Sequence, residues 1–233
     1  MKRSSAAFLL YCWLVPSALS AAPRAAPARS STQGALVDRA VVRFEAPETG
    51  GARHPRFVFE RELSFEARLE ALSDADRASL GDLPYRDRHV TAALDRHIAE
   101  MILGALHIDP EPTAAELAHQ SELAHRLLSD RVGGEEALDT ARRAEGLSER
   151  EFGHLLLQKA RASLYLDRMV TPMLEPSEAE LRNLHQSTNT PFRAAPFDTI
   201  RSALLRWYVS RRLNAALASF YENARSRIDV TIL

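Results

Sequence analysis

The stretch that decides the fold runs from Ala137 to Leu181, ALDTARRAEGLSEREFGHLLLQKARASLYLDRMVTPMLEPSEAEL. Its Ser148-Glu-Arg-Glu151 is a capping box, in which each side chain satisfies a free backbone N–H of the other at a helix start. Apolar residues then recur at helical spacing through a long helix that is interrupted near Pro172. A second box, Ser177-Glu-Ala-Glu180, opens a helix that fades by His185. The stretch therefore predicts a short, a long and a short helix in succession.

The same signals predict helices upstream. Spacings of three and four predict a helix over Ser64–Leu72, and His89–Leu106 places an apolar residue every four positions on one face. Thr113-Ala-Ala-Glu116 is a further capping box, and its helix runs to about Val132. A short helix over Glu135–Glu145 then ends at Gly146.

Three segments have β character. Leu36–Glu45 and Arg56–Leu63 are strand candidates joined by turn-forming residues, which predicts an irregular hairpin. After the longest helix, Asp198–Arg227, the segment Asp229–Leu233 is a third strand candidate. Such a tail is ordered only if it pairs, and the hairpin is its obvious partner. The fold class we expect is mainly α with a small β element, whose C-terminal helix and strand return to the N-terminal hairpin.

Composition excludes several classes of protein. The chain has 233 residues, 45% of them hydrophobic, with 30 basic and 31 acidic residues and only 9 glycines. This is not the composition of a disordered chain or a disulfide scaffold, and it gives no net field directed at nucleic acid. A mostly helical domain is the class it favours.

The N-terminus has the parts of a secretory signal peptide. Lys2 and Arg3 precede a ten-residue apolar run, Ala6–Val15, which small residues follow. We expect a signal peptide over residues 1–21, with cleavage after Ser20, Ala21 or Ala22, and a flexible linker over 22–35. An uncleaved anchor is the alternative, although ten residues are too few to span a membrane. Cleavage removes the only cysteine and leaves a periplasmic protein with no stable membrane span.

The order of elements resembles the core domain of the SurA-type periplasmic chaperones, whose parvulin-containing members are also prolyl isomerases. Ala137–Leu181 looks like that family's short helix, "GLS" turn, long helix and following helix start, and Pro196–Leu233 looks like its terminal helix and strand. The resemblance covers residues 36–233 and implies a chaperone core domain that the terminal segment completes.

One departure from that family bears on activity. Where a parvulin domain would be inserted, this chain has only the connection 185–197. A domain of that kind needs roughly a hundred residues. We therefore expect a chaperone-like core without intrinsic isomerase activity, even though the name peptidyl-prolyl isomerase could be attached to it by similarity.

A chaperone needs adaptable apolar surface, which methionine and aromatic side chains supply. The predicted peptide-binding residues are Tyr165, Met169, Met173, Trp207 and Tyr208, chosen from a set that also includes Met101, Phe220 and Tyr221. On helices such residues also serve as core, and this alternative stays open for each of them. The partners expected are unfolded polypeptides or a specific envelope protein. A dedicated interaction or scaffold module on the same fold, or a subunit that lends its core to a separate isomerase, are the alternatives.

No catalytic motif is present. The chain has no nucleophile elbow, no phosphate-binding glycine loop and no H-E-x-x-H. His119 and His125 lie on different faces of their helix, and with Glu122 they are expected at the surface. His97 and Glu100 are expected to form a local surface pair. No metal, cofactor or nucleic-acid partner is predicted, and the oligomeric state is left open.

Overall fold

A computed structural model describes residues 38–76, 83–187 and 190–233, except for the side chains of residues 221, 224 and 225. The predicted signal peptide, the linker and the first two residues of the predicted strand at Leu36 lie outside the described residues. Residues 77–82 of the segment before the second helix also lie outside them.

Strands and helices follow one another in chain order through the described residues. The strands are β1 (Ala40–Glu45), β2 (Arg56–Phe59) and β3 (Asp229–Ile232). The helices are α1 (Glu60–Ser73), α2 (Asp87–Ala105), α3 (Ala114–Val132), α4 (Glu135–Ala144), α5 (Glu149–Tyr165), α6 (Thr171–Leu174), α7 (Glu178–Gln186) and α8 (Phe197–Arg225). A π-helical turn, Leu166–Val170, joins α5 to α6. The fold is mainly helical with a small sheet, as predicted.

The sheet is antiparallel with strand order β2-β1-β3. Val42 pairs with Val58 on one side and with Ile232 on the other. The prediction that the terminal strand returns to the hairpin is therefore confirmed. Since β1 occupies the centre, β2 and β3 are both edge strands.

The second predicted strand is too long, because the chain turns from β2 directly into α1 at Glu60. Glu60 and Glu62 occupy the first turn of α1, where carboxylates interact favourably with the helix dipole. Leu63 and Ala67, four residues apart, pack beneath the sheet. Burial at helical spacing thus outweighs the local β propensity of this segment.

All three predicted capping boxes are confirmed. Ser148 Oγ accepts a hydrogen bond from the backbone N–H of Glu151, whose carboxylate accepts one from the Ser148 N–H at 2.8 Å. The boxes that start at Thr113 and Ser177 have the same reciprocal bonds. These bonds fix where α3, α5 and α7 begin.

The long helix is interrupted near Pro172, as predicted. The interruption is the π-helical turn Leu166–Val170, and Pro172 lies in the first turn of α6. A proline has no N–H to donate and its ring clashes with the preceding turn, so a widened turn ahead of it accommodates both effects. Similarly, α2 ends at Ala105, before Pro110 and Pro112.

Three apolar clusters form the core. The inner face of the sheet packs on α1 and α2, and a second cluster joins α1, α3, α4 and α5. A third joins the end of α5 to α8 through Leu213 and Leu217. Among the described helices, none combines the length and the hydropathy that a membrane span requires.

Candidate functional site

Three of the five predicted peptide-binding residues lie at the end of α5, in the π-helical turn and on α6. Tyr165 is partly buried and packs on the cluster that contains Leu213 and Leu217. Met169, in the π-helical turn, is partly buried, whereas Met173 on α6 is 72% exposed. Tyr165 therefore contributes to the core, and Met173 is accessible to a ligand.

Trp207 and Tyr208 lie on α8 in a different setting. The ring of Trp207 packs edge-on against Phe192, with centroids 6.4 Å apart, and the guanidinium of Arg211 lies 5.6 Å from the Trp207 ring centroid. Arg212 covers Tyr208 at the same distance. Both aromatic residues are partly buried. Trp207 and Tyr208 thus contact Phe192 and two arginines, and a crevice shared with Tyr165 and Met169 stays a prediction.

A second apolar surface lies on the sheet, and sequence reasoning missed it as a site. Among the residues that the structure describes, eight large apolar side chains are exposed, and five of them belong to the edge strands or the residue that follows β3: Phe57, Phe59, Val230, Ile232 and Leu233. Phe57 and Phe59 are each 40% exposed and alternate with the buried Val58, so they share the outer face of the sheet. The segment RFVF contained a signal for this surface, because Phe57 and Phe59 alternate with Val58 and both faces of the strand are therefore apolar. When a strand is apolar on both faces and only one face is covered, the other face is left exposed.

The free edge of β3 is suited to pairing with another strand. Leu233 lies opposite Val41, and its N–H donates a hydrogen bond to the Val41 carbonyl at 3.0 Å. Because hydrogen-bonded pairs alternate in an antiparallel ladder, the backbone groups of Val230 and Ile232 point away from β1. No other strand of the described chain covers this edge. Ile232 is 81% exposed although its neighbour Val42 is buried, so the edge presents both backbone groups and apolar side chains.

The structure also contains a buried ionic cluster, and here the expectation of a His97–Glu100 surface pair is wrong. His97 is buried, and its Nδ1 lies 3.0 Å from Glu66 Oε2. Lys159 Nζ lies 2.7 Å from Glu66 Oε1 and 2.5 Å from Glu100 Oε2. The cluster thus joins α1, α2 and α5. A rule for residues three positions apart could not find this cluster. His97 is 31 positions from Glu66, and Lys159 is 59 positions from Glu100.

The charges in this cluster hold each other in place. Burial would raise the pKa of Glu66, but attraction to Lys159 and His97 outweighs it and holds that pKa well below the usual range. Burial opposes the charged form of His97, yet Glu66, by attraction and hydrogen bonding, raises its pKa above the ordinary value. The pKa of Lys159 is likewise raised, against burial, by Glu100 and Glu66. Burial raises the pKa of Glu62, 4.0 Å from His97 Nε2.

The ionic cluster is placed for structure rather than for chemistry on a ligand. Two surface cavities, of about 420 and 300 Å³, are lined by other residues, among them His125 and Leu156 in the first and Leu157 and Arg161 in the second. Each charge of the cluster already has a partner at hydrogen-bonding distance. The cluster therefore anchors three helices to one another.

The described residues contain no group of three or more histidine, cysteine, aspartate or glutamate side chains that could hold a metal ion. In the trio expected at the surface, His119 and Glu122 are exposed, and His125 lies 3.1 Å from Glu135 and edge-on to Phe152. Arg142 is mostly buried and binds Asp139, Glu149 and the Leu147 carbonyl.

Comparisons of the chain with protein-family models, with curated proteins and with solved structures find no match. The resemblance to SurA-type chaperones stays a prediction from the order of elements. The function of the chain must therefore be inferred from the geometry of the sheet edge and of α8.

Proposed function

We propose that this protein is an exported, periplasmic chaperone-like protein that binds unfolded or extended polypeptides, with outer-membrane protein precursors as candidate clients. The observation that carries the proposal is the concentration of exposed large apolar side chains on the two edge strands, β2 and β3. Monomeric proteins seldom leave large apolar side chains exposed at a sheet edge unless the edge binds something, and here both edges of the sheet do so.

The binding mode that this surface supports is strand addition. An extended polypeptide can donate to and accept from the outward backbone groups of Val230 and Ile232, and these bonds do not depend on its sequence. Its alternate side chains would lie beside Ile232. Phe57 and Phe59, at the opposite edge strand, offer a second apolar contact. Sequence-independent backbone bonds with adaptable apolar contacts are what a protein needs to bind many unfolded chains.

The proposal includes no intrinsic prolyl isomerase activity. Helix α7 ends at Gln186 and α8 begins at Phe197, so only residues 187–196 join them. A folded isomerase domain needs roughly a hundred residues. The core alone would then act by shielding its client.

The test mixes the full chain with a chemically unfolded outer-membrane protein and follows client aggregation by light scattering, with a prolyl-isomerisation assay on the same sample. The decisive variant is Ile232→Pro, because proline removes an N–H that points outward and leaves the bonds to β1 intact. Leu83→Ser, which removes an exposed apolar side chain that belongs to no strand, is the matched control.

We expect suppressed aggregation without isomerisation, a clear loss of suppression in Ile232→Pro and none in Leu83→Ser. No suppression at several-fold excess of the wild-type chain would overturn the proposal. Isomerisation above background would contradict its second part.

A dedicated envelope interaction or scaffold module is the second candidate function. The observation that favours it is the set of exposed arginines on α8, which have no counterpart in a purely apolar client site.

A further inference from the structure

The region from residue 182 to residue 212 is strongly basic in a chain that is otherwise slightly acidic. It holds six arginines and a single acidic residue, Asp198, whereas the whole chain has 30 basic and 31 acidic residues. The six are Arg182, Arg193, Arg201, Arg206, Arg211 and Arg212. Such local asymmetry produces a positive potential that attracts anionic groups.

The arginines of this region differ in their partners. Arg182 and Arg201 share the single carboxylate of Glu178, at 3.2 Å and 2.8 Å. Arg211 and Arg212 instead lie over the rings of Trp207 and Tyr208, one helical turn back. Within the described ranges, no carboxylate forms an ion pair with either of these two guanidinium groups.

The carboxylate of Glu180 interacts electrostatically with Arg212 at longer range. The pKa of Glu180 is held below its ordinary value, first by the backbone and side-chain hydrogen bonds from Ser177 and to a lesser extent by Arg212. Because Glu180 is committed to the capping box of α7, it leaves the hydrogen-bond donors of Arg212 available.

The two Arg–aromatic pairs form one surface. At 100° per residue, Trp207, Tyr208, Arg211 and Arg212 occupy an arc of about 140° on α8. Around Arg211 and Arg212 the arc points away from Leu213 and Leu217, which pack into the core. One turn before Tyr208 the same side of the helix carries Leu204, which is buried. Toward the C-terminus the arc continues with Ala215, Ala218 and Ser219, which are exposed and small, and then with the exposed Glu222. We call the four residues the Arg–aromatic face.

We infer that the Arg–aromatic face binds an acidic segment of a partner polypeptide. A guanidinium group presents two parallel N–H donors that match both oxygens of a carboxylate. Stacking on Trp207 and Tyr208 restricts the two guanidinium groups before binding, so less side-chain entropy is lost when they engage. The partner that this geometry fits has carboxylates spaced to meet both groups.

A lipid surface fits the same charge less well. Helices that bind membranes direct large apolar side chains toward the lipid. On α8 the large apolar side chains Leu213 and Leu217 are buried, and Trp207 is held between Phe192 and Arg211. The exposed arc continues with small residues, which leave nothing to insert. The observations therefore favour a polypeptide partner.

This inference is independent of the proposed function, because the Arg–aromatic face shares no residue with the sheet edge. The test uses the full chain carrying Trp13→Phe, which leaves Trp207 as its only tryptophan. The probe is a labelled peptide of alternating glutamate and alanine, and the comparison peptide has glutamine in place of glutamate. Binding is followed by anisotropy of the label and by Trp207 fluorescence.

We expect the acidic peptide to bind, to change Trp207 fluorescence and to weaken as salt rises, while the glutamine peptide does not bind. The double variant R211Q/R212Q should bind about tenfold more weakly, because two charge-assisted contacts are lost. The matched variant R143Q/R150Q removes two exposed arginines elsewhere and should bind within about twofold of the parent.

Equal losses in the two double variants would overturn the inference, because they would reduce it to net charge. Tighter binding to anionic phosphatidylglycerol vesicles, or to an oligonucleotide of equal charge, would also overturn it by assigning the face to another class of partner. Circular dichroism of each variant verifies that α8 remains folded, so a loss of binding is not a loss of structure.

Discussion

Glu66 on α1 and Lys159 on α5 form a buried ion pair, with Nζ 2.7 Å from Oε1 and both side chains almost wholly removed from solvent. His97 completes the far side of the Glu66 carboxylate, and Glu100 completes that of the Lys159 ammonium. Helix α2 thus supplies a second partner of opposite charge for both Glu66 and Lys159. An arrangement of this kind ties three helices to one relative position, since sliding any of them would leave a buried charge unpaired.

Replacing Lys159 by methionine should lower the free energy of unfolding by about 3–5 kcal/mol, because it leaves Glu66 buried without its ammonium. Chemical denaturation measures this loss. The double variant E66L/K159M removes both charges and should recover most of the stability. Arg150→Met, an exposed position on the same helix, serves as control and should change it by less than about 0.5 kcal/mol. A double variant no more stable than the single one would contradict this account.

His97 should make stability depend on pH. Its folded pKa is raised above the ordinary value of 6.5, because Glu66 and Glu62 together outweigh the opposing effect of burial. A raised pKa means that its contribution is complete below about pH 6.5 and declines as the pH rises through the folded pKa. We therefore expect the wild-type free energy of unfolding to fall from about pH 6.5 toward more alkaline pH.

The variant His97→Gln isolates that effect, because the amide retains a hydrogen-bonding group but cannot take up a proton. Denaturation midpoints between about pH 6 and about pH 9 should be flatter for the variant than for the wild type. If the two curves run parallel, the protonation of His97 is not what sets the slope.

Removing the hydroxyl of Ser148 should destabilise the protein by about 1 kcal/mol, because α5 loses the side-chain acceptor at its first turn. Thermal unfolding of Ser148→Ala measures the loss. Ser202→Ala, at an exposed position inside α8, is the control and should leave stability unchanged or slightly higher. A similar loss of stability in both variants would show that the capping box has no special role in stabilising α5.

Changing Phe57 and Phe59 together to serine should reduce the suppression of client aggregation, with a moderate loss of stability, since each side chain is 40% exposed on the outer face of the sheet and buries the remainder. Light scattering of an unfolded client measures the first effect and thermal unfolding the second. Unchanged suppression would exclude the outer face and leave the β3 edge as the only binding surface on the sheet.

Features with a local cause are predictable from the sequence. Each capping box involves residues three positions apart, so the starts of α3, α5 and α7 follow from the residues themselves. The pairing of β3 with β1 is predictable as well, because a short apolar tail needs a partner and the sequence offers one hairpin.

The burial of His97, Glu66 and Lys159 is not predictable in the same way. Each is a charged residue on an amphipathic helix, where the expected position is the solvent face, and only the packing of three helices brings them together. The exposure of Ile232 is a similar case. Its pattern is that of a buried strand, yet the helices that cover Val42 do not extend over the neighbouring edge.

The register that pairs Val42 with Ile232 joins positions separated by nearly the whole described chain. Because the ribosome releases a chain from its N-terminus, β1 and β2 are available to pair long before β3 has been made. Until then the backbone groups on one side of β1, which includes Phe44, have no partner strand, and an extended segment of another chain could pair with them. Strand exchange between nascent chains is therefore a hazard inherent in this topology, and α8 limits its duration by delivering β3 to the vacant side as soon as that helix docks.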